Sequence, residues 1–169
     1  MVREPAPRST LAGVPTGGET MNRIHEASER FLKGYACSQA VFATYGASHG
    51  VPEEMALRIA SGFAGGMKTG STCGAVTGAI MAIGMLYGAE ECATVAGRAA
   101  VYEAVKEFSE RFRERYGSLL CKELLGCDTS TPEGHQRAKE LNLFKTRCVC
   151  LVEGAAAILE EMERTRAAS

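Results

Sequence analysis

Seven cysteines stand among 169 residues, and four of them, Cys37, Cys73, Cys121 and Cys148, fall at or near the start of a helical pattern. A sulfur at a helix start meets unpaired backbone N–H groups and the positive end of the helix dipole, so this placement predicts thiolate character. Thiolates attack disulfides, ligate iron–sulfur clusters or hold zinc. No Cys-x-x-Cys spacing of the thioredoxin, zinc-ribbon or haem-attachment kind occurs, so any shared site requires four distant helix starts to converge.

Cys73 follows the glycine-rich run Gly62-Phe63-Ala64-Gly65-Gly66-Met67-Lys68-Thr69-Gly70 and reads as the attacking thiol. Gly65, Gly66 and Gly74 are expected to bring amides to an anion or to metal-bound sulfur. The run lacks the glycine-lysine-hydroxyl ending of a phosphate loop, and no strand precedes it. Cys127, six residues after Cys121 and past a predicted helix end, is expected to turn back to the same site. Cys92 continues an apolar stripe and reads as packing. Cys150 points about 160° away from Cys148 on one helix, so the two cannot readily serve one site. His25, His49 and His135 show no paired metal spacing and read as surface residues.

Helical periodicity runs through the chain, and no useful length alternates as a half-buried strand does. The expected fold is all-α, a single-domain multi-helix bundle around a central buried helix rich in glycine and alanine. A first helix is expected from Thr20 to Lys33, with Ile24, Ala27, Phe31 and Leu32 inward, closed by Gly34. A second runs from Cys37 to Gly46. A third opens at Pro52, with Met55, Leu57 and Ile59 as its apolar side. The central helix, about Cys73 to Tyr87, sets Gly74, Gly78 and Ala82 at four-residue steps, a smooth side for a close neighbour. A long helix from about Glu91 to Tyr116 is expected to pack through Val95, Ala99, Tyr102, Val105, Phe108 and Phe112. Short helices follow Ser118 and Thr131-Pro132, and a last one starts near Thr146. Residues 1–19 read as a tail, 20–163 as the domain and 164–169 as a second tail.

The charge of −1, with 46% apolar and 23% charged residues, describes a globular domain without the basic field that nucleic-acid binding needs. Seven cysteines are too sparse for a small disulfide scaffold, and the number is odd. Met1 to Glu19 carries Pro5, Pro7 and Pro15 and no apolar stretch, unlike an export signal, which makes a reducing cytoplasm the expected compartment. Thr69 to Ala89 holds no charge, but only Ala75 to Tyr87 is mainly apolar and it contains Gly78 and Gly84. A buried helix rather than a membrane span is expected.

The motifs Gly34-Tyr35-Ala36-Cys37-Ser38-Gln39-Ala40-Val41, Gly62 to Met67 leading to Cys73-Gly74-Ala75-Val76-Thr77-Gly78, then Cys121-Lys122-Glu123-Leu124-Leu125-Gly126 and Cys148 resemble the C-GCAxxG-C-C family, described as redox-active. The resemblance spans about Met21 to Glu161. Thr72 rather than glycine precedes Cys73, so the local string is cysteine-glycine-alanine. Carried over residue by residue, the family's four signature cysteines are Cys37, Cys73, Cys121 and Cys148.

The resemblance implies redox or metal chemistry without naming a reaction. The leading expectation is electron transfer through a reversible disulfide, or through an iron–sulfur centre on those four cysteines, with an unidentified redox partner. The alternative is a non-catalytic protein holding zinc with the same thiolates. A further alternative is a helical assembly module whose cysteines only pack; a homo-oligomer fits it.

Overall fold

The structure, a computed structural model, describes residues 17–168, with side chains described from Arg23 onward. Among the described residues, eight α-helices form an all-α fold: α1 (Gly17–Leu32), α2 (Cys37–Ala47), α3 (Glu53–Ala60), α4 (Gly74–Tyr87), α5 (Val95–Tyr116), α6 (Cys121–Leu125), α7 (Pro132–Glu140) and α8 (Arg147–Ala167). Most of the expected tail at 1–19 lies outside the described residues, although α1 already begins at Gly17. The second expected tail is mostly helix, since α8 continues to Ala167. No described helix is long and apolar enough to cross a membrane.

The sequence signals act where their chemistry predicts. Thr131 caps α7 by accepting from the Gly134 N–H at 3.0 Å, with Pro132 in the first turn. Thr94 caps α5 by accepting from the Gly97 N–H at 2.9 Å. Gly34, Gly117 and Gly126 take positive φ after α1, α5 and α6, as C-terminal caps require.

α4 is the centre of the fold. Its glycine face is the crossing point for α2. A β-carbon at Gly78 would stand 2.7 Å from the Ser38 carbonyl oxygen and 3.1 Å from Val41 Cβ. Without side chains at this point the two backbones approach closely, and Val41, Tyr45, Val76 and Ile83 are buried around the contact. α8 closes the other side with Leu151, Val152, Ile158 and Leu159. On the same side, Arg23 from α1 and Tyr45 from α2 meet the buried Glu160 carboxylate.

Three expected apolar faces are corrected. On α3 it is Ala56 and Ala60 that are buried, while Met55 and Ile59 stand exposed. Alanine at four-residue spacing is the face that fits a close crossing against α2. α5 begins at Val95 rather than near Glu91, and Val95, Ala99 and Tyr102 are exposed on its first turns. Burial starts only at Ala104 and continues through Phe108 and Phe112. Cys92 precedes that helix and is exposed, so it does not pack. At the end of α1, Leu32 is also exposed rather than inward.

Candidate functional site

Cys37 is the first residue of α2, Cys73 caps the start of α4, Cys121 opens α6 and Cys148 is the second residue of α8. All four line one half-open cavity of about 170 Å³, the convergence on which any shared thiol chemistry depends. Each is brought there by an identifiable local device.

Cys37 is fixed by the start of α2. The Ala36 N–H donates to Gln39 Oε1 at 3.0 Å, Gln39 Nε2 donates to the Leu57 carbonyl at 2.9 Å, and the Ser38 hydroxyl donates to the Ala60 carbonyl at 2.7 Å. These bonds tie the α2 start to α3. Cys73 and Cys121 are joined by an antiparallel bridge between Thr72 and Leu120. The Cys73 N–H donates to the Leu119 carbonyl at 2.8 Å and the Cys121 N–H to the Ser71 carbonyl at 2.7 Å. Arg147 Nε donates to the Leu124 carbonyl at 3.2 Å, which holds the start of α8, and Cys148 with it, against the end of α6.

The glycine-rich run is a left-handed turn. Gly65, Gly66, Met67 and Lys68 have φ of 60°, 63°, 55° and 59°. Residues with a β-carbon rarely take this conformation, and consecutive ones are rarer still. Gly66 has no substitute in the turn: a β-carbon there would stand 2.5 Å from the Ser71 nitrogen. Its carbonyl accepts from the Ser71 N–H at 3.1 Å and from the Thr69 hydroxyl at 2.9 Å. Gly66 thus closes the loop but does not line the cavity. Gly65 does line it and turns its N–H toward Cys37. Gly74 fits against Cys37 Sγ so tightly that a β-carbon would collide with the sulfur and stand 3.0 Å from Ala64 Cα.

The expected thiolate character is overturned. Burial pushes the Cys37 thiol up, although N–H groups of Gly65, Ser38, Cys37 itself and Gly74 pull it back. Burial and then the Cys37 sulfur raise Cys73 well above the ordinary thiol range, and the Ala75 N–H only partly compensates. Cys121 is pushed to about 11, first by burial and then by Cys37, against a hydrogen bond from the Thr129 hydroxyl. Cys148 is pushed to about 12 by burial, Cys37, Cys121 and Cys127, with Arg147 opposing. Desolvation of a charged sulfur outweighs the helix-start amides at each position.

Among the other cysteines, Cys127 does not line the cavity, yet its sulfur bears on Cys121 and Cys148. Cys150 is exposed, on the far side of α8 from Cys148 as the helical spacing predicts. Five contributors escaped sequence reasoning: Phe31, Lys68, Thr129, His135 and Phe144 also line the cavity. His135 packs on Phe144 with ring centroids 5.3 Å apart, so it belongs to the wall and not merely to the surface. No short-range signal marks these residues, because they arrive from five separate segments.

Four thiols in one cavity invite a metal. Yet among the described residues no group of three or more His, Cys, Asp or Glu side chains is arranged to hold a metal ion. What the site offers is a set of mutually influential, protonated thiols around a small space.

Comparison with known proteins adds one finding. A family model described as "Putative redox-active protein (C_GCAxxG_C_C)" matches residues 35–162, a span that contains all four cavity cysteines. No curated protein and no solved structure matches.

Proposed function

The chain belongs to the C_GCAxxG_C_C family, described as redox-active, and from that premise we propose that it moves two electrons by making and breaking a disulfide between Cys37 and Cys73. The observation that carries this reading is the position of Cys37. Of the neighbouring sulfurs, it is the one that bears most strongly on Cys73, Cys121 and Cys148 alike. Cys37 and Cys73 line the same cavity. Backbone N–H groups from Gly65, Ser38 and Gly74 face its sulfur and stabilise negative charge there. Cys37 therefore replaces Cys73 as the attacking thiol.

In the exchange, the Cys37 thiol loses its proton and its sulfur attacks one sulfur of a substrate disulfide, releasing the other as a thiolate that takes up a proton. Cys73 then loses its proton and attacks the Cys37 sulfur, so a Cys37–Cys73 bond forms and the second substrate thiol leaves. Two protein thiols become one disulfide and one substrate disulfide becomes two thiols. The order follows from electrostatics. A thiolate at Cys37 is the neighbouring charge that most opposes ionisation of Cys73, and a mixed disulfide at Cys37 carries no such charge. A reducing cytoplasm suits the cycle, since it supplies the thiols that restore the dithiol.

The test uses the full chain with Cys92→Ser and Cys150→Ser, which removes the two exposed thiols. Oxidation by oxidised glutathione, followed by alkylation of the remaining thiols, is expected to consume two thiols reversibly, and Cys37→Ser abolishes the change. An unchanged loss of two thiols in the Cys37→Ser protein overturns the assignment. Protein purified without oxygen that carries stoichiometric iron or zinc, with redox change lost on its removal, supports the metal-centred alternatives instead.

A further inference from the structure

The proposed exchange leaves the substrate unnamed, and the cavity wall bears on what it is. Phe31, Leu125, Phe144 and Leu151 make most of that wall apolar. A space of about 170 Å³ compares with the roughly 150 Å³ apolar cavity that takes up one benzene molecule. No aspartate or glutamate lines it. The cation on the wall is Lys68, exposed and without an ion pair among the described residues.

Lys68 is also held in an unusual way. It sits at φ 59° within the left-handed turn, a backbone state that a lysine adopts only where its surroundings impose it. That turn sets Lys68 Nζ 3.9 Å from the point where a Gly65 β-carbon would lie, and Thr129 Oγ1, from the loop after α6, lies 4.0 Å from the same point. Gly65 is one of the residues whose N–H faces Cys37. An ammonium and a hydroxyl thus stand at the cavity wall next to the amide that supports the reactive sulfur.

We infer that the cavity admits one ring-sized, mainly apolar arm of an organic disulfide whose anionic group docks on Lys68, with its sulfur presented to Cys37. The inference rests on the exchange chemistry proposed above and adds the substrate class. Apolar walls desolvate the body of such a molecule. The single ammonium selects its charge, in the absence of any wall carboxylate that would repel it.

Two aromatic disulfides of similar size test this: 5,5′-dithiobis(2-nitrobenzoate), which is anionic, and 4,4′-dithiodipyridine, which is neutral at pH 7. Rate constants are measured for reaction at Cys37 in the full chain with Cys92→Ser and Cys150→Ser, alone and with Lys68→Gln or, as a remote control, Lys106→Gln. The anionic-to-neutral rate ratio is expected to fall about fivefold in Lys68→Gln, the scale of one charge-assisted contact at a partly exposed site, and to hold in Lys106→Gln. Added salt is expected to lower the same ratio in the Lys68 protein. A ratio that is the same in both variants, with Cys37 still reacting, overturns the substrate class and leaves the disulfide cycle standing. Failure of Cys37 to react with either probe overturns the cycle itself.

Discussion

Cys37 shows how several weak backbone donors and one strong burial effect divide the behaviour of a single atom. Its thiol is raised by desolvation and partly restored by amides, while Cys121 and Cys148 have less help and reach about 11 and about 12. These shifts have a consequence for stability. Below the ordinary thiol range near about 8.5, both the folded and unfolded chains keep the proton. As pH rises from there, the unfolded chain ionises first, so stability is lost progressively until the folded thiols also titrate. The reduced protein is therefore expected to show a denaturant midpoint that falls between pH 8 and about 11. Cys148→Ser is expected to flatten that slope whatever its own stability. A slope identical in the two proteins would mean that Cys148 titrates in its ordinary range.

At the scale of elements, the site depends on how closely α2 and α4 approach. Gly74→Ala drives a methyl group into Cys37 Sγ and the Ala64 backbone, and the expected cost is about 1–3 kcal/mol. Gly84, on the exposed side of the same helix, has nothing within 4 Å of an added β-carbon. Gly84→Ala is expected to gain about 0.5–1 kcal/mol through helix propensity. Urea denaturation of the two variants separates close packing from propensity within one helix. Much of this was legible beforehand: the Gly74, Gly78, Ala82 spacing marks a smooth face, and the four signature cysteines sit at helix starts. The partner of that face was not, nor was the burial that reverses the effect of a helix start on a thiol. Local spacing cannot show the Thr72–Leu120 bridge, which joins residues far apart in sequence. It also favoured large side chains on α3, where small ones make the contact, and carried the α5 stripe into first turns that are exposed.

For the molecule as a whole, the cavity stays open only while α1, α2 and α8 keep their arrangement. One buried cluster links the three. Arg23 Nε stands 2.6 Å from Glu160 Oε1, an ion-pair contact without the alignment of a hydrogen bond, and Arg23 Nη2 lies 2.7 Å from Glu163 Oε2. The Tyr45 hydroxyl stands 2.9 Å from both the Glu160 carboxylate and the Ala156 carbonyl. Glu160 is 1% exposed, so Arg23→Met leaves a carboxylate buried without its cation and is expected to cost about 3–5 kcal/mol. Adding Glu160→Gln is expected to recover part of that loss, whereas an additive loss would argue against charge pairing as the cause. On the proposed cycle, the burial of the thiols also bears on the direction of electron flow. No group stabilises a thiolate enough to offset desolvation, so the dithiol lacks the feature that makes strongly oxidising couples, and its midpoint is expected below about −180 mV. The most direct test is a glutathione redox titration of the full chain with mass-spectrometric mapping of its peptides. A single two-electron step, with a Cys37–Cys73 crosslink rising in parallel, is the predicted result; a step in which neither cysteine leaves the thiol pool, or in which the crosslink joins another pair, contradicts the account.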